Sequence, residues 1–179
     1  MKTMIKFKPD GVSAARYAAF MGLLFAVSAA LNWLESLFSA FLPAGMRIGL
    51  SNIAAMLAIL CMNVPSALLL TVLKAGFVLL TRGVTAGIMS FCGSTAAFCV
   101  TALLFRRTKA SYVLTSVLAA LAHSFGQLCA AWFLLGTVSV FAYSPILTAS
   151  SSAAGILTGI ALKIIFPEAF KAVGGKGRT

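Results

Sequence analysis

Charged residues are scarce in this chain, and acidic residues are almost missing. Only 9% of its 179 residues are charged, and three acids, Asp10, Glu35 and Glu168, stand against 14 lysines and arginines. A soluble domain carries about 25% charged residues, so the composition opposes a soluble protein. Catalysis through Mg²⁺ needs clustered carboxylates, whereas these three lie on far-separated segments. We therefore expect no catalytic residues, no bound metal and no cofactor.

Motifs for metal binding and for nucleotide hydrolysis are also missing. The four cysteines form no Cys-x-x-Cys pair, so we expect them to be small buried hydrophobic side chains rather than a redox centre. No Walker motif is present, so the chain itself cannot use ATP through a P-loop. The net charge of +11 could favour nucleic acid, but the basic residues flank apolar runs, as they do in membrane proteins. We expect no nucleic-acid partner.

Long apolar runs are what the sequence does contain, and they make up most of its length. A transmembrane helix needs about 20 apolar residues. The runs predict an all-α integral membrane protein, a six-transmembrane-helix bundle that is multi-pass in the cell (cytoplasmic) membrane and contacts membrane lipid. The second run is short, so we expect part of it to be re-entrant or packed inside the protein. The six runs cover residues 14–42, 48–62, 66–81, 84–105, 111–135 and 146–166, and Pro167 is expected to end the last.

The basic residues predict the orientation of this bundle. Six spans place both termini on one side, and that side then holds ten of the 14 lysines and arginines. The opposite side holds only Arg47 and Arg82. Because cytoplasmic loops are enriched in lysine and arginine, both termini are predicted to be cytoplasmic. The predicted organisation is a basic N-terminus (1–13), one membrane domain (14–166) and a flexible basic tail (167–179).

The candidate polar side chains of the spans and their outer boundary lie at mid-depth or towards the side away from the termini. Such residues face the bundle interior or a water-filled cavity, and two of them, His123 and Gln127, share a helix face because they are four residues apart. Together they predict a substrate-binding pocket that opens outwards, with two arginines guiding an anionic ligand. The predicted pocket residues are Glu35, Arg47, Asn52, Lys74, Arg82, His123 and Gln127.

Each of these residues also has a structural interpretation. Glu35 and Lys74 could pair and lock two helices together, because a paired buried charge costs less than a lone one. His123 and Gln127 could supply hydrogen bonds between helices. The arginines could extend to the membrane interface. The functional hypothesis therefore depends on the occurrence of these residues together, and not on any one of them.

Small residues form a second pattern at the start of the first run. Alanines four positions apart let helix backbones approach closely. They indicate either internal packing or a docking surface for a helix of a partner protein. The residues of this predicted docking surface are Ala14, Ala15, Ala18 and Ala19.

Several short motifs resemble one known family, the Gx transporter family, which is also labelled heptaprenyl diphosphate synthase component I. The resemblance covers about residues 16–166. The chain departs from the family in having Lys74 in place of an arginine and Ser124 in place of an asparagine. The motifs are Leu34-Glu-Ser36, Arg47-Ile-Gly-Leu-Ser-Asn52, Lys74 with Thr81-Arg-Gly83, Ser90-Phe-Cys-Gly93 and His123-Ser-Phe-Gly-Gln127.

The family is similar in build to the substrate-binding (S) components of energy-coupling factor (ECF) transporters. The resemblance implies six helices, a small vitamin-like or isoprenoid-related ligand bound near the outer side, and docking of the alanine motif onto a transmembrane coupling subunit with two ATPases. The synthase label implies prenyl diphosphate chemistry, which the carboxylate content opposes. Two alternatives stay open: an accessory subunit of prenyl or quinone metabolism that binds a lipid diphosphate, and a structural membrane subunit without a ligand.

Overall fold

Apolar residues follow one another with few breaks, and the chain satisfies its backbone polar groups by forming helices. The computed structural model describes residues 13–38, 49–108 and 110–172, which contain helices and no strand. This confirms the all-α prediction. The described helices are α1 (Ala14–Phe38), α2 (Asn52–Cys61), α3 (Val64–Arg82), α4 (Val84–Arg107), α5 (Tyr112–Leu135) and α6 (Ser144–Ala172), with a 3₁₀ helix, η1 (Val138–Tyr143), between α5 and α6.

Five of the described helices are long and apolar enough to cross a membrane, namely α1, α3, α4, α5 and the segment of η1 with α6. Their outward surface suits lipid, because large apolar side chains such as Leu80 and Phe133 are each 85% exposed. A soluble monomer rarely exposes large contiguous apolar patches. The chain is therefore a multi-pass membrane protein by the length and composition of its helices.

The second helix, α2, is much shorter than its neighbours. Its ten residues rise only about 15 Å, half of a bilayer core of about 30 Å. Eight of the ten are buried, so the prediction that the second run packs inside the protein is confirmed. A tight turn joins α2 to α3, where the Asn63 side chain accepts a hydrogen bond from the Ser66 N–H at 2.8 Å. Of the six predicted spans, five thus correspond to described helices that are long and apolar enough to cross a membrane.

Contacts between helices define the two ends of the bundle. Near one end the Tyr17 hydroxyl is hydrogen-bonded to the Ser66 hydroxyl, at the starts of α1 and α3. The same end contains the last residue of α6, because Ala172 and Phe20 line one groove. We call this the proximal end, and the opposite end, where α3 ends at Arg82, the distal end. The first and last helices thus share an end of the bundle, as the six-run topology requires.

Helix α6 packs closely against α5 through small residues. A Cβ atom added at Gly155 would lie 2.6 Å from the Val117 Cα atom, a separation that no real contact allows. Beside this approach, the hydroxyls of Ser116 and Thr158 are hydrogen-bonded at 2.6 Å. Small residues and hydroxyl pairs are the usual means by which helices associate in lipid.

The predicted end of the last helix is wrong, because α6 runs through Pro167 to Ala172. Proline removes one backbone hydrogen bond and tends to end a helix. Here tertiary contacts hold the extra turn in place. Phe170 packs against the hydrophobic core and lies 5.7 Å from Phe166 between ring centroids, and Lys171 pairs with Glu168 at 2.8 Å.

We expect Gly155→Ala to destabilise the bundle, because the added methyl group would push α6 away from the α5 backbone. Overpacking of this kind costs about 1–3 kcal/mol. The matched control is Gly22→Ala on α1, where no described atom lies within 4 Å of the added Cβ. Thermal unfolding of both variants in detergent, followed by circular dichroism, checks this. Equal midpoints for the two variants would contradict the close packing of α5 and α6.

Candidate functional site

A lysine lies in the middle of the bundle. Lys74 is the eleventh of the 19 residues of α3 and is only 5% exposed. Its Nζ donates a hydrogen bond to Asn52 Oδ1 at 2.7 Å. Asn52 is the first residue of α2, so the short helix begins where the lysine lies. The amide oxygen supplies an acceptor that lipid cannot, which lowers the cost of a buried ammonium group.

A carboxylate lies at the same helix start. Glu35 is buried, and its Oε1 accepts a hydrogen bond from the Ser51 N–H at 3.1 Å. The N-terminus of a helix carries partial positive charge and favours a carboxylate. The Ser28 hydroxyl also donates to the Ser51 carbonyl oxygen at 3.4 Å. Glu35 and Lys74 therefore contact consecutive residues, Ser51 and Asn52, at the beginning of α2.

Of the two predicted arginines, Arg82 belongs to the described part of the chain. Arg82 donates from Nη2 to the backbone carbonyl oxygen of Asn32 at 2.5 Å, which ties the end of α3 to α1. This contact lies one turn from Glu35 along α1. Arg47 lies outside the described residues. Of the predicted pocket residues, Glu35, Asn52, Lys74 and Arg82 are thus brought together on α1, α2 and α3.

The cavity beside Lys74 is small, about 20 Å³. Its polar lining includes Ser28, Asn52, Lys74 and Ser94, and the buried Ser94 Oγ has no hydrogen-bond partner within the described part of the chain. About 10–15 Å³ suffices for one water molecule. This cavity, which we call the lysine cavity, is therefore the size of a water site and not of a small-molecule site.

The other two predicted residues, His123 and Gln127, meet α4 at a glycine. A Cβ atom added at Gly93 would lie 2.8 Å from Gln127 Cγ and 2.8 Å from the His123 carbonyl oxygen. Both residues are buried, and both lie against the same point of α4, which confirms that they share a helix face. Ser94, which lines the lysine cavity, directly follows Gly93 on α4. The lysine cavity and the contact of His123 and Gln127 with Gly93 therefore involve neighbouring positions of α4.

A larger cavity opens next to Gln127, between α4, α5, α6 and η1. Its volume is about 210 Å³, and we call it the distal cavity. Gln127 is 6% exposed, and its Nε2 has no hydrogen-bond partner among the residues described. A buried donor left without an acceptor costs about 1–3 kcal/mol. The cavity is lined by Met89, Gln127, Leu128, Ala131, Val140, Tyr143 and Leu147.

Sequence reasoning found Gln127 but missed the other residues of the distal cavity. Met89, Leu128 and Leu147 are apolar residues in apolar helices, and no sequence signal separates a cavity wall from an ordinary core. Tyr143 lies between the fifth and sixth predicted runs, and in the structure it ends the 3₁₀ helix η1 and lines the cavity. The distal cavity is thus a product of tertiary packing around one predictable polar residue.

The predicted docking alanines lie on the surface of α1. All four, Ala14, Ala15, Ala18 and Ala19, are exposed, and they lie at the proximal end. These four alanines therefore do not pack against other helices of the described chain. Docking of a partner helix stays a prediction.

Side chains that could bind a metal ion are scattered over the described part of the chain. In the part of the chain that the structure describes, no group of three His, Cys, Asp or Glu side chains is placed to hold a metal ion. The expectation that all four cysteines are buried is confirmed for Cys61 and wrong for the other three, since Cys92 and Cys129 are partly exposed and Cys99 is exposed on α4. An apolar thiol facing lipid needs no burial, which explains the difference.

Comparison with known proteins gives one match. The sequence model of the family described as heptaprenyl diphosphate synthase component I matches residues 24–165. The chain belongs to this family. The matched range contains every residue of the predicted pocket and of the distal cavity. No curated protein matches the chain, and no solved structure does. The similarity to S components of ECF transporters stays a prediction.

We expect the contact between Lys74 and Asn52 to appear as a coupling free energy in a double-mutant cycle. A hydrogen bond to a charged group contributes about 1.5–3 kcal/mol, and residues in contact couple whereas distant ones add independently. The cycle uses Lys74→Met, Asn52→Leu and the double variant, with thermal unfolding in detergent as the measurement.

The matched control replaces Lys74→Met by Lys163→Met, because Lys163 is exposed on α6. We expect a coupling of about 1.5 kcal/mol for the first cycle and none beyond about 0.5 kcal/mol for the control. Additive effects in the first cycle would contradict the hydrogen bond.

Proposed function

We propose that this protein is the membrane-embedded substrate-binding subunit of an ECF-type importer for a small vitamin-like or isoprenoid-related ligand. The distal cavity is the observation that carries the proposal. It has about 210 Å³ of space, walls from three helices, and a buried amide donor. Ligand sites are concave, mostly apolar and equipped with a few polar groups. This cavity shares those features, and its volume of about 210 Å³ lies below the roughly 300–1,000 Å³ of sites for drug-sized ligands.

The acidic residues support a role without catalysis. Glu35 is engaged with the backbone of α2, and Glu168 pairs with Lys171 at the proximal end of α6. Two carboxylates on different helices, held in different contacts, do not form the clustered set that Mg²⁺-dependent prenyl transfer needs. In this proposal the chain binds a ligand, and chemistry is left to other proteins.

The proposal requires partners that supply energy, since the chain has no P-loop of its own. A transmembrane coupling subunit and its ATPases would fill this role. The exposed alanines of α1 support the proposal, because small residues allow a partner helix to approach the backbone closely. They lie at the proximal end, which the distribution of basic residues predicts to be cytoplasmic.

A second candidate function is an accessory subunit of prenyl diphosphate or quinone metabolism. The family description favours it, and so does an apolar groove of about 520 Å³ between α1, α2 and α6. Side chains such as Phe20, Leu57 and Ile165 line this groove, which would suit a prenyl chain. The charged residue that lines it is Glu168, an acid that would repel a diphosphate.

Native mass spectrometry of the protein, purified gently from its host membrane, tests the two functions together. A complex with a coupling subunit and ATPases is the expected result for an importer. A lone chain that carries a polyprenyl or quinone mass would overturn that proposal in favour of the accessory subunit.

We expect Ala18→Leu to abolish co-purification of the coupling subunit, because the larger side chain would hold the partner helix away from α1. The matched control is Ala153→Leu, which enlarges an exposed alanine of α6 and should leave the complex intact. Pull-down of the complex in mild detergent measures both. Retention of the complex in Ala18→Leu would show that the alanine surface of α1 does not dock the partner.

A further inference from the structure

The walls of the distal cavity carry no charge. Its apolar lining residues are Met89, Leu128, Ala131, Val140 and Leu147, and the polar ones are Gln127 and Tyr143. Moving a charged group into such surroundings without a partner is strongly unfavourable. The chemistry of the cavity therefore selects against an anion, although the sequence alone predicted an anionic ligand.

Gln127 lines this space with a side chain that is only 6% exposed. The absence of a side chain at Gly93 leaves room for the glutamine stem, since an added Cβ would lie 2.8 Å from Gln127 Cγ. The stem is thus fixed against the α4 backbone. The Nε2 atom at its end is buried and has no partner in residues 13–38, 49–108 or 110–172. Buried polar groups are nearly always hydrogen-bonded, and a molecule in the cavity that Gln127 lines would supply the acceptor that this donor lacks.

The volume of the cavity limits the size of that acceptor molecule. An apolar cavity of about 150 Å³ holds benzene, and the distal cavity measures about 210 Å³. By this comparison it accepts a molecule of about nine non-hydrogen atoms, the size of one substituted ring. The thioether of Met89 is unbranched and adaptable, which suits a wall that must fit a ring.

The roof of the cavity is the most weakly held part of the site. The 3₁₀ helix η1 contains no buried residue. Its Phe141 ring lies 6.3 Å from the Trp132 ring of α5 between centroids, and Tyr143 is 53% exposed at the edge of the cavity. A ligand would therefore enter from the distal end, past η1, and not through the helices.

We propose that the distal cavity binds an uncharged, largely apolar, ring-sized molecule with one carbonyl or ring-nitrogen acceptor, and that Gln127 Nε2 donates the hydrogen bond which selects it. This inference rests on the proposed function, because it names the ligand class of the binding subunit. A diphosphate does not belong to this class, and neither does a carboxylate.

Three probes of nearly equal shape test the ligand class on the purified full-length protein in detergent. Acetophenone carries a carbonyl acceptor, isopropylbenzene has the same skeleton without it, and benzoate is the corresponding anion. Dissociation constants come from ligand-observed NMR titrations. We expect acetophenone to bind about tenfold more tightly than isopropylbenzene, since one hydrogen bond distinguishes them, and benzoate not to bind.

The variant Gln127→Leu keeps the volume of the side chain and removes the donor. We expect it to weaken acetophenone about tenfold and to leave isopropylbenzene unchanged. The thermal midpoint without ligand separates this role from a structural one. A glutamine that only linked helices would lose stability on substitution, whereas an unpartnered donor should lose none. Equal affinities of acetophenone and isopropylbenzene for the wild-type protein, or tighter binding of benzoate, would overturn the inference.

The position of the bound acetophenone can be measured on the wild-type protein, without any substitution. With the methionine methyl groups isotopically labelled, bound acetophenone should give nuclear Overhauser contacts to the methyl group of Met89, which lines the cavity. Contacts only to methionines elsewhere would place the probe in another site and overturn the inference. The matched control variant is Ala153→Leu, which lies on the exposed face of α6 and should have the wild-type affinities for acetophenone and isopropylbenzene and, like the wild type, should not bind benzoate.

The importer proposal and the ligand class fail in different ways. A complex with coupling subunit and ATPases that binds none of the probes would contradict the ligand class and leave the importer intact. A protein that discriminates the probes as expected, but purifies without such partners, would support the ligand class and count against the importer.

Discussion

The cost of placing an ammonium group at the centre of a membrane bundle shapes this structure. Insertion scales put a lysine in the middle of a helix at about 2.5–3.5 kcal/mol. Lys74 meets this constraint through the Asn52 side chain at 2.7 Å, and Asn52 is the first residue of α2. The buried charge and the start of the short helix therefore meet at one point in the bundle.

The start of α2 has consequences for its neighbours. A helix that begins inside the membrane exposes N–H groups where no water is available. Glu35 accepts from the Ser51 N–H, and the Ile53 N–H donates to the Leu50 carbonyl oxygen at 3.1 Å, which satisfies the first turn locally. Acid, lysine and asparagine thus form one structural unit around this helix start. Their tight packing leaves a cavity of about 20 Å³, so the space for a ligand lies elsewhere.

That space lies on the other side of α4, where close helix packing ends. Gly93 brings α4 and α5 together around His123 and Gln127. Further towards the distal end, α5 and α6 are joined through the 3₁₀ helix instead of a tight turn, and the helices no longer fill the volume between them. The distal cavity results from this change. Its neutral walls explain why the buried charges of the protein and its candidate ligand site are separate features.

Sequence by itself determined that this is an all-helical membrane protein of the heptaprenyl diphosphate synthase component I family. It also determined that the second apolar run is too short to match its neighbours, because composition and run length act locally. It could not determine which polar residues meet, since Lys74 and Gln127 look alike as polar residues in apolar helices. Only the tertiary structure placed the Asn52 amide beside Lys74 and the distal cavity beside Gln127. It also carried α6 beyond Pro167, where aromatic packing outweighed a local helix-ending signal.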